Sequence, residues 1–297
     1  MGKSAPLFHI GSYPVWRIEE WGGQFAPPSA LFAEYEDAAF APYASSFTPD
    51  YLRDGMIYAF LQSFLINANG LRILVDTGAG NDKDRPGIGV FGNLQSDFLA
   101  RLAATGHQPE DIDIVFCTHL HIDHVGWNTR LSQGAWIPTF PNATYIFPEI
   151  DRATWDPASA DYAHLRGAEV NRNVFEDSVQ PILDAGLAKL IRDGAEIAPG
   201  MTAFAAPGHT PGHVFLEVRN GQDMALFTGD ILHHPMQVIR PDWNSVYCED
   251  RAEAAATRRM VLERAYTTRA RIVPAHFGGT HSIFVEKHNE GFRPIAG

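Results

Sequence analysis

The sequence has very little cysteine. Of its 297 residues only Cys117 and Cys248 are cysteines, and they do not form a C-x-x-C pair. Two such thiols cannot supply a disulfide framework. Cys117 ends the apolar run that starts at Ile114, which predicts a buried strand position and not a nucleophile. We therefore expect two reduced thiols and a fold held together by its hydrophobic core.

Clusters of positive charge are also missing. Lysine and arginine number 23 against 35 aspartates and glutamates, which gives a formal charge of −12, and no basic run occurs. Because nucleic-acid binding draws much of its affinity from clustered basic side chains, a nucleic-acid partner is not expected. The composition favours a small-molecule substrate as the partner.

Long apolar runs are absent too. No stretch reaches the roughly 18 apolar residues that mark a membrane-spanning helix, and the start, Met1 to Pro6, lacks the pattern of a secretory signal. We therefore expect no membrane association and a cytoplasmic location. Hydrophobic residues make up 45% of the chain and charged residues 20%. This is the composition of a globular protein, and we expect one domain over residues 1–297.

Histidine, in contrast, is abundant, with 13 residues. A short apolar strand predicted at 112–118 leads directly into the run His119-Leu-His121-Ile-Asp123-His124. Three further predicted strands also end at potential ligands, and these are His209, Asp230 and His276. Imidazole and carboxylate suit Zn, Mn, Fe or Co, whereas the lack of cysteine ligands disfavours a closed structural zinc site. An H-x-H pair can arise by chance on a solvated face, but chance explains this dense run poorly.

Turn and cap signals place the remaining elements. Asn69-Gly70 predicts a hairpin between strands at 60–66 and 71–75, and Asn220-Gly221 predicts another between 214–218 and 224–228. Helices are predicted at 96–104, at 174–185 where Pro181 would limit or kink the helix, and from Asp250, whose Glu253 completes a capping pattern.

Two segments carry many aromatic or polar side chains without a clear period. Residues 22–54 are predicted to form a long ordered loop, and residues 149–173 form a polar, aromatic region. Aromatic side chains there would either line a substrate pocket or complete the core. Trp127, just after the ligand run, has the same two alternatives.

At Thr118 to His124 the sequence resembles the metallo-β-lactamase superfamily, whose signature T-H-x-H-x-D-H it matches at every position. The resemblance extends to Asp76 in L-V-D-T-G, His209 in G-H-T-P-G-H, Asp230 in T-G-D and His276 in P-A-H. It implies an α/β fold, the four-layer αβ/βα sandwich, with metal ions at one end of two facing sheets.

The resemblance also implies a role for each matching residue. His119, His121 and His209 would bind a first metal ion, Asp123, His124 and His276 a second, and Asp230 would bridge both. The expected cofactors are two divalent ions, zinc first, with Mn, Fe or Co also suited, and the nucleophile would be a hydroxide that bridges them. Asp76 would accept a proton from a ligand imidazole.

Within that superfamily the sequence is most similar to the lactonase and ester-hydrolase branch, which includes N-acyl-homoserine lactonases and methyl parathion hydrolase. Asp230 stands where many true metallo-β-lactamases have Cys or Ser, and His121 where flavodiiron proteins have Glu. The expected reaction is hydrolysis of a lactone or carboxylic ester of a small apolar substrate. In those lactonases a Tyr three residues after the bridging Asp contacts the substrate carbonyl, and here that position is His233.

His233 is therefore the candidate donor to the developing oxyanion, and Asp123 the candidate that relays a proton to the leaving group. For His233 and His234, a role outside the set of metal ligands or in packing stays open. His213 is expected to be a hairpin residue or a neighbour of the ligands. Alternatives to the main function are a phosphotriester hydrolase on the same site, a mononuclear-iron oxidoreductase resembling persulfide dioxygenases, and a catalytically idle metal-binding module. A homodimer is compatible with all of them.

Overall fold

The computed structural model describes residues 4–289 and 291–297. The chain divides into two compact units, one formed by the residues up to Trp21 with Leu61–Ala195, the other by Gly22–Phe60 with Glu196–Gly297. The chain passes between units within the strands Tyr13–Ala26 and Met56–Ala68 and at the start of the strand Ala195–Ala198. Part of the secretory-signal prediction concerns Met1 to Lys3 and lies outside the described residues. The prediction of one domain over residues 1–297 stays a prediction.

The first unit is built on a mixed sheet. Its main path, in spatial order, is Phe8–Ile10, Tyr13–Ala26, Met56–Ala68, Leu71–Val75, Ile114–Phe116, Thr144–Pro148 and Ala188–Ile191. The last four strands of this path are parallel to one another. Their carboxyl ends therefore meet at one edge of the sheet. A separate hairpin pairs Thr129–Ser132 with Ala135–Pro138.

Short helices connect the strands of the first unit. The α-helices are Phe98–Ala104, Glu149–Thr154 and Gln180–Asp184. Single turns of 3₁₀ helix lie at Gly89–Phe91, Pro109–Asp111, Gly126–Asn128 and Tyr162–His164. The prediction of a helix over 174–185 that Pro181 limits or kinks is confirmed in extent, since the π-helical turn Phe175–Val179 continues directly into the α-helix Gln180–Asp184. Pro181 has no N–H to donate to the carbonyl four residues earlier, which accounts for the distortion.

The second unit carries a seven-stranded sheet. Its spatial order is Ala195–Ala198, Met201–Ala205, Val214–Asn220, Asp223–Gly229, Arg271–Pro274, Ile283–His288 and Gly291–Ala296. Neighbours from 201 to 229 are antiparallel, and Asp223–Gly229 is parallel to Arg271–Pro274. Three strands of this sheet, those ending at Ala205, Gly229 and Pro274, therefore point the same way. The short strand Leu52–Arg53 pairs with the start of Met56–Ala68.

The helices of the second unit are mostly single turns. The α-helices are Pro28–Leu31, Asp37–Phe40, Ala44–Phe47, Met236–Ile239 and Arg251–Thr268, with a 3₁₀ turn at Ala41–Tyr43. The predicted cap of the longest helix is confirmed, since the Asp250 carboxylate accepts a hydrogen bond from the Glu253 backbone N–H at 2.9 Å. This bond satisfies one of the unpaired amides at the helix start.

Both predicted hairpins are present, with different turns. Asn69 and Gly70 both have positive φ, +52° and +85°, as the type I′ turn requires. In the second hairpin Asn220 still pairs with Asp223, so the turn lies one residue later than predicted, at Gly221 and Gln222. Gly221 alone takes positive φ there, +63°.

The segment 22–54 is not the loop that its prolines suggested, because it contains the four short helical turns between Pro28 and Phe47. Phe32, Phe40 and Phe47 are buried with Trp243 in one core cluster of the second unit. These three aromatic side chains therefore complete the core. Among the described residues no helix has the length and apolarity needed to cross a membrane.

Candidate functional site

The predicted ligand run lies at the carboxyl end of the strand Ile114–Phe116 in the first unit. His119 and His121 are buried, and a potential ligand atom of each lies within 4.8 Å of the other. Asp123 is partly exposed, and its Oδ1 lies 3.6 Å from His124 Nε2. The loop thus brings together the four candidate ligands that the sequence placed there.

Asp76 supports this loop from the neighbouring parallel strand. Its Oδ1 accepts a hydrogen bond from the Thr118 backbone N–H at 2.8 Å, and its Oδ2 lies 2.9 Å from His124 Nδ1. The predicted contact between Asp76 and a ligand imidazole is therefore present. Asp76 has φ +55°, a conformation that Asp tolerates better than most residues.

Backbone hydrogen bonds join the Asp76 loop to the end of the ligand run. The Thr77 N–H donates to the His124 carbonyl at 2.7 Å, and the Gly126 N–H donates to the Gly78 carbonyl at 2.7 Å. A Cβ on Gly126 would lie 1.9 Å from the Ala79 carbonyl carbon. Only glycine allows this close approach of the two loops.

In the second unit the candidate ligands gather around Asp230. Its Oδ2 lies 3.2 Å from His209 Nε2 and 3.2 Å from His233 Nε2, and its Oδ1 lies 2.9 Å from His276 Nε2. The Asp230 backbone N–H donates to His213 Nε2 at 3.2 Å. His213 is therefore a neighbour of the candidate ligands, as predicted. His233 belongs to the same cluster as the ligands.

Four candidate ligand imidazoles share one arrangement, in which Nδ1 faces a partner and Nε2 lies on the opposite side of the ring. The partners of Nδ1 are Thr118 Oγ1 for His119 at 3.0 Å, Asp76 Oδ2 for His124 at 2.9 Å, Cys248 Sγ for His209 at 3.7 Å and the Phe60 carbonyl for His276 at 2.8 Å. Metal-binding histidines usually show this arrangement, because the partner of one ring nitrogen fixes the tautomer and orients the other nitrogen.

The donor set therefore fits divalent metal ions. It consists of imidazoles and carboxylates, in accordance with zinc and similar ions. Cys248 contacts Nδ1 of the candidate ligand His209, so it lies beside the candidate ligands. Cys117 is buried, and burial raises the pKa of its thiol, in agreement with the structural role predicted for it.

Electrostatics distinguish the histidines around Asp230. Burial lowers the pKa of His233 to about 4, although Asp230 acts in the opposite direction. For His209, burial also lowers the pKa, but the charge of Asp230 and the hydrogen bond to it outweigh burial and raise the pKa to about 9. His233 is therefore a neutral imidazole near pH 7, able to donate through one ring nitrogen.

His234 does not share this environment. Its ring packs against Phe47 at a centroid distance of 4.6 Å and against Tyr51 at 5.7 Å. Burial lowers the pKa of His234 to about 3. Its position favours the packing alternative. Trp127 likewise stacks on Phe98 at 5.3 Å and is buried, so it completes the core.

The sequence reasoning missed Glu20, a buried acid near the ligand loop. Glu20 accepts hydrogen bonds from the backbone N–H groups of Ala79 at 2.6 Å and Gly80 at 2.9 Å, and from Trp127 Nε1 at 2.6 Å. A usable signal existed, since Glu20 follows Ile18 at the two-residue period of a strand and so shares its inward face.

Comparison with known proteins gives a family and a set of relatives. The sequence model of the metallo-beta-lactamase superfamily matches residues 61–276. An N-acyl homoserine lactonase of Bacillus sp. is 28% identical over 180 residues, which cover 57% of this chain and 60% of the relative. That of Bacillus cereus is 27% identical over 161 residues, covering 50% and 54%. The chain thus matches little more than half the length of these relatives.

Solved structures share the fold over nearly the whole chain. A hydrolase of the beta lactamase superfamily, AbOPH, aligns with a TM-score of 0.83 and 23% identity, covering 99% of this chain and 97% of the other. AidC, a dizinc quorum-quenching lactonase, aligns with a TM-score of 0.80 and 21% identity, covering 98% and 96%. The predicted fold class, the α/β metallo-β-lactamase sandwich, is confirmed.

Proposed function

The chain belongs to the metallo-β-lactamase superfamily, and from this we propose that it is a metal-dependent hydrolase that cleaves a lactone or carboxylic ester of a small apolar substrate. The observation that carries the proposal is the shared orientation of four candidate ligand imidazoles, each with Nδ1 facing a partner. Similar proteins named as N-acyl homoserine lactonases support the substrate class.

We propose two divalent ions, zinc in the first instance, with ligands assigned as in the family. His119, His121 and His209 would hold one ion, Asp123, His124 and His276 the other, and Asp230 would bind both. When bound, such a pair lowers the pKa of water and polarises a carbonyl oxygen, which makes hydrolysis feasible at neutral pH.

The side chains of this chain would perform three tasks around that centre. Asp230 would supply the shared carboxylate, since its two oxygens lie within 3.2 Å of His209 and His276, one proposed ligand of each ion. Asp123, which is partly exposed, would accept a proton from the attacking water and pass it to the leaving group. His233, neutral near pH 7, would donate a hydrogen bond to the negative charge that develops on the carbonyl oxygen.

Both the charge of the chain and its relatives support the proposed substrate class. The formal charge of −12 disfavours polyanionic substrates. Segments 22–54 and 149–173 remain the proposed sources of the substrate-binding surface. In the former, Phe25, Tyr35 and Tyr43 are only partly buried. Such rings suit an acyl chain better than a phosphate.

The test combines metal analysis with a substrate panel. Protein reconstituted with Zn²⁺ is expected to contain two ions per chain and to hydrolyse lactones or carboxylic esters faster than thioesters or phosphotriesters. Removal of the metal by chelation should abolish turnover and lower the melting temperature, since metal binding contributes to stability.

Each alternative would give a different result. Fastest turnover of a phosphotriester would replace the proposed reaction by phosphoryl transfer. One bound iron with oxygen uptake in the presence of thiols would select the oxidoreductase. Protein that binds metal but turns over none of the four substrate classes would favour the idle metal-binding module.

A further inference from the structure

The backbone of Leu120, which separates His119 from His121, is held on both sides by buried side chains. Its N–H donates to Asp151 Oδ2 at 3.0 Å, and its carbonyl oxygen accepts from Asn171 Nδ2 at 2.9 Å. Asp151 is 0% exposed and Asn171 is 3% exposed. Two almost completely buried polar side chains therefore converge on a single residue of the ligand run.

These two bonds fix the geometry between the two histidines. The Leu120 N–H belongs to the peptide plane that starts at His119, and the Leu120 carbonyl to the plane that ends at His121. Because peptide units are planar, only the φ and ψ of Leu120 relate one plane to the other. Holding both planes restricts these angles and hence the relative positions of the His119 and His121 Cα atoms.

The parallel sheet explains how Asp151 reaches this position. The strands Ile114–Phe116 and Thr144–Pro148 are parallel neighbours, so their carboxyl ends lie at the same edge. The ligand run follows the first strand, and the helix Glu149–Thr154 follows the second directly. Trp155, at the end of that helix, also packs edge-on against His121, with ring centroids 4.9 Å apart.

We propose that Asp151 and Asn171 are positioning residues that set the metal affinity of the His119 and His121 pair by clamping the two peptide planes of Leu120. This inference rests on the proposed function, in which both histidines bind metal. It gives the segment 149–173 a second task beside the substrate contact proposed for it, namely support of the ligand run.

Exchanging Asp and Asn should have opposite outcomes at the two clamp residues, Asp151 and Asn171. Asp151→Asn keeps an oxygen that accepts from the Leu120 N–H, so it should be tolerated, whereas Asp151→Ala should not. Asn171→Asp replaces the donor by a carboxylate that faces the Leu120 carbonyl oxygen. Because two acceptors cannot bond to each other and a buried charge is left uncompensated, this exchange should be poorly tolerated.

The experiment measures Zn²⁺ affinity of metal-depleted protein by competition with a chromophoric chelator, together with the visible absorption of the Co²⁺-loaded protein. Asp151→Ala and Asn171→Asp should each weaken zinc binding by about 10 to 100-fold, the usual effect of removing a partner outside the ligand set. Their Co²⁺ spectra should change in band position or intensity. Asp151→Asn should restore both readouts to near wild-type values.

Asn142→Asp is the matched control, because Asn142 undergoes the same exchange and also donates to a backbone carbonyl, that of Glu110, but at an exposed position. Thermal unfolding of the metal-free variants separates loss of affinity from loss of folding. Wild-type affinity and spectra in Asp151→Ala and Asn171→Asp would overturn the clamp, as would Asp151→Asn behaving like Asp151→Ala. Wild-type protein that binds zinc but cleaves no lactone or ester would instead refute the proposed substrate class and leave the clamp intact.

Discussion

In the first unit four candidate ligands share one loop after one strand, whereas in the second unit three candidate ligands come from strand ends far apart in the sequence. The loop of the first unit is held from outside, by Asp76 and by the side chains that bond to Leu120. In the second unit Asp230, itself a candidate ligand, lies between three imidazoles.

This difference indicates how sensitive each half of the candidate ligand set is to substitution. The first half is the loop at 119–124 in the first unit, and the second half is the group around Asp230 in the second unit. The first half has several independent supports, so the loss of one should weaken metal binding without destroying the loop. The second half depends on one carboxylate that both orients its neighbours and would bind metal. Substitutions in the two halves should therefore differ in size, and the following experiments test that contrast.

The largest effect is expected for Asp230→Ala. Removal of this carboxylate takes away the proposed shared ligand and the partner of His209, His233 and His276. Turnover should fall by more than about 1,000-fold, since a metal pair contributes several kcal/mol to hydrolysis. Elemental analysis should show at least one ion lost per chain. Asp223→Ala, an exposed position at the start of the same strand, is the control, and full metal content in Asp230→Ala would contradict the bridging role.

The next effect concerns Asp123, the partly exposed member of the first half. Asp123→Asn should reduce turnover by about 100 to 10,000-fold, the range of general acid–base catalysis. If Asp123 passes a proton to the leaving group, esters with poor leaving groups should lose more activity than esters with good ones. Turnover of both ester types is compared after metal content has been verified. Equal losses would remove Asp123 from the role of acid.

A smaller effect is expected for His233. His233→Ala should lower kcat by about 10 to 1,000-fold if the imidazole donates to the oxyanion. His233→Tyr should recover part of the loss, because a hydroxyl donor would then stand at the position where similar lactonases have Tyr. His288→Ala, an exposed histidine, serves as the control. Unchanged kcat in His233→Ala would mean that His233 contacts Asp230 but does not donate to the oxyanion.

The contrast between the two halves also explains what the sequence could and could not predict. The loop at His119 was predictable because its four candidate ligands lie within six residues, 119–124, that follow an apolar strand. The three candidate ligands of the second unit are single residues at predicted strand ends, and only the family resemblance assigned each of them to a metal ion. Asp151 and Asn171 could not be found, because a side chain that bonds to a distant backbone group leaves no local pattern.

The fold shows the same limit. Both hairpins and the capped helix at Asp250 depend on neighbouring residues and were predicted correctly, apart from the one-residue shift of the second turn. The helix over 174–185 and its distortion near Pro181 were also predicted, but the π-helical form of that distortion has no sequence signature. His233 and His234 could not be separated in the sequence, since the directions of adjacent side chains in an irregular turn depend on tertiary packing.

The smallest effect concerns Glu20, which supports the loops behind the first half. Burial raises the pKa of Glu20 from its ordinary 4.5 to about 7, although the N–H groups of Ala79 and Gly80 and the Trp127 indole lower it. Between these pH values the folded chain keeps a proton that the unfolded chain releases. The contribution of Glu20 to stability is therefore fully present below pH 4.5 and decreases as the pH rises to about 7.

Glu20→Gln should remove this dependence. Urea unfolding between pH 5 and 8 gives the free energy of unfolding of wild type and variant. The wild-type value minus the Glu20→Gln value should decrease as the pH rises, by up to about 3 kcal/mol, since one pKa unit corresponds to roughly 1.4 kcal/mol. Titration of the metal ligands affects both proteins equally and cancels in the difference.

Glu19→Gln is the matched control. Burial raises the pKa of Glu19, but Arg17 and Arg101 outweigh burial and hold it below the ordinary value, so Glu19 is charged in both states throughout this range. Its difference from wild type should therefore stay constant with pH. A constant difference for Glu20→Gln as well would show that Glu20 is ionised in the folded protein at pH 5, with its hydrogen-bond donors outweighing its burial.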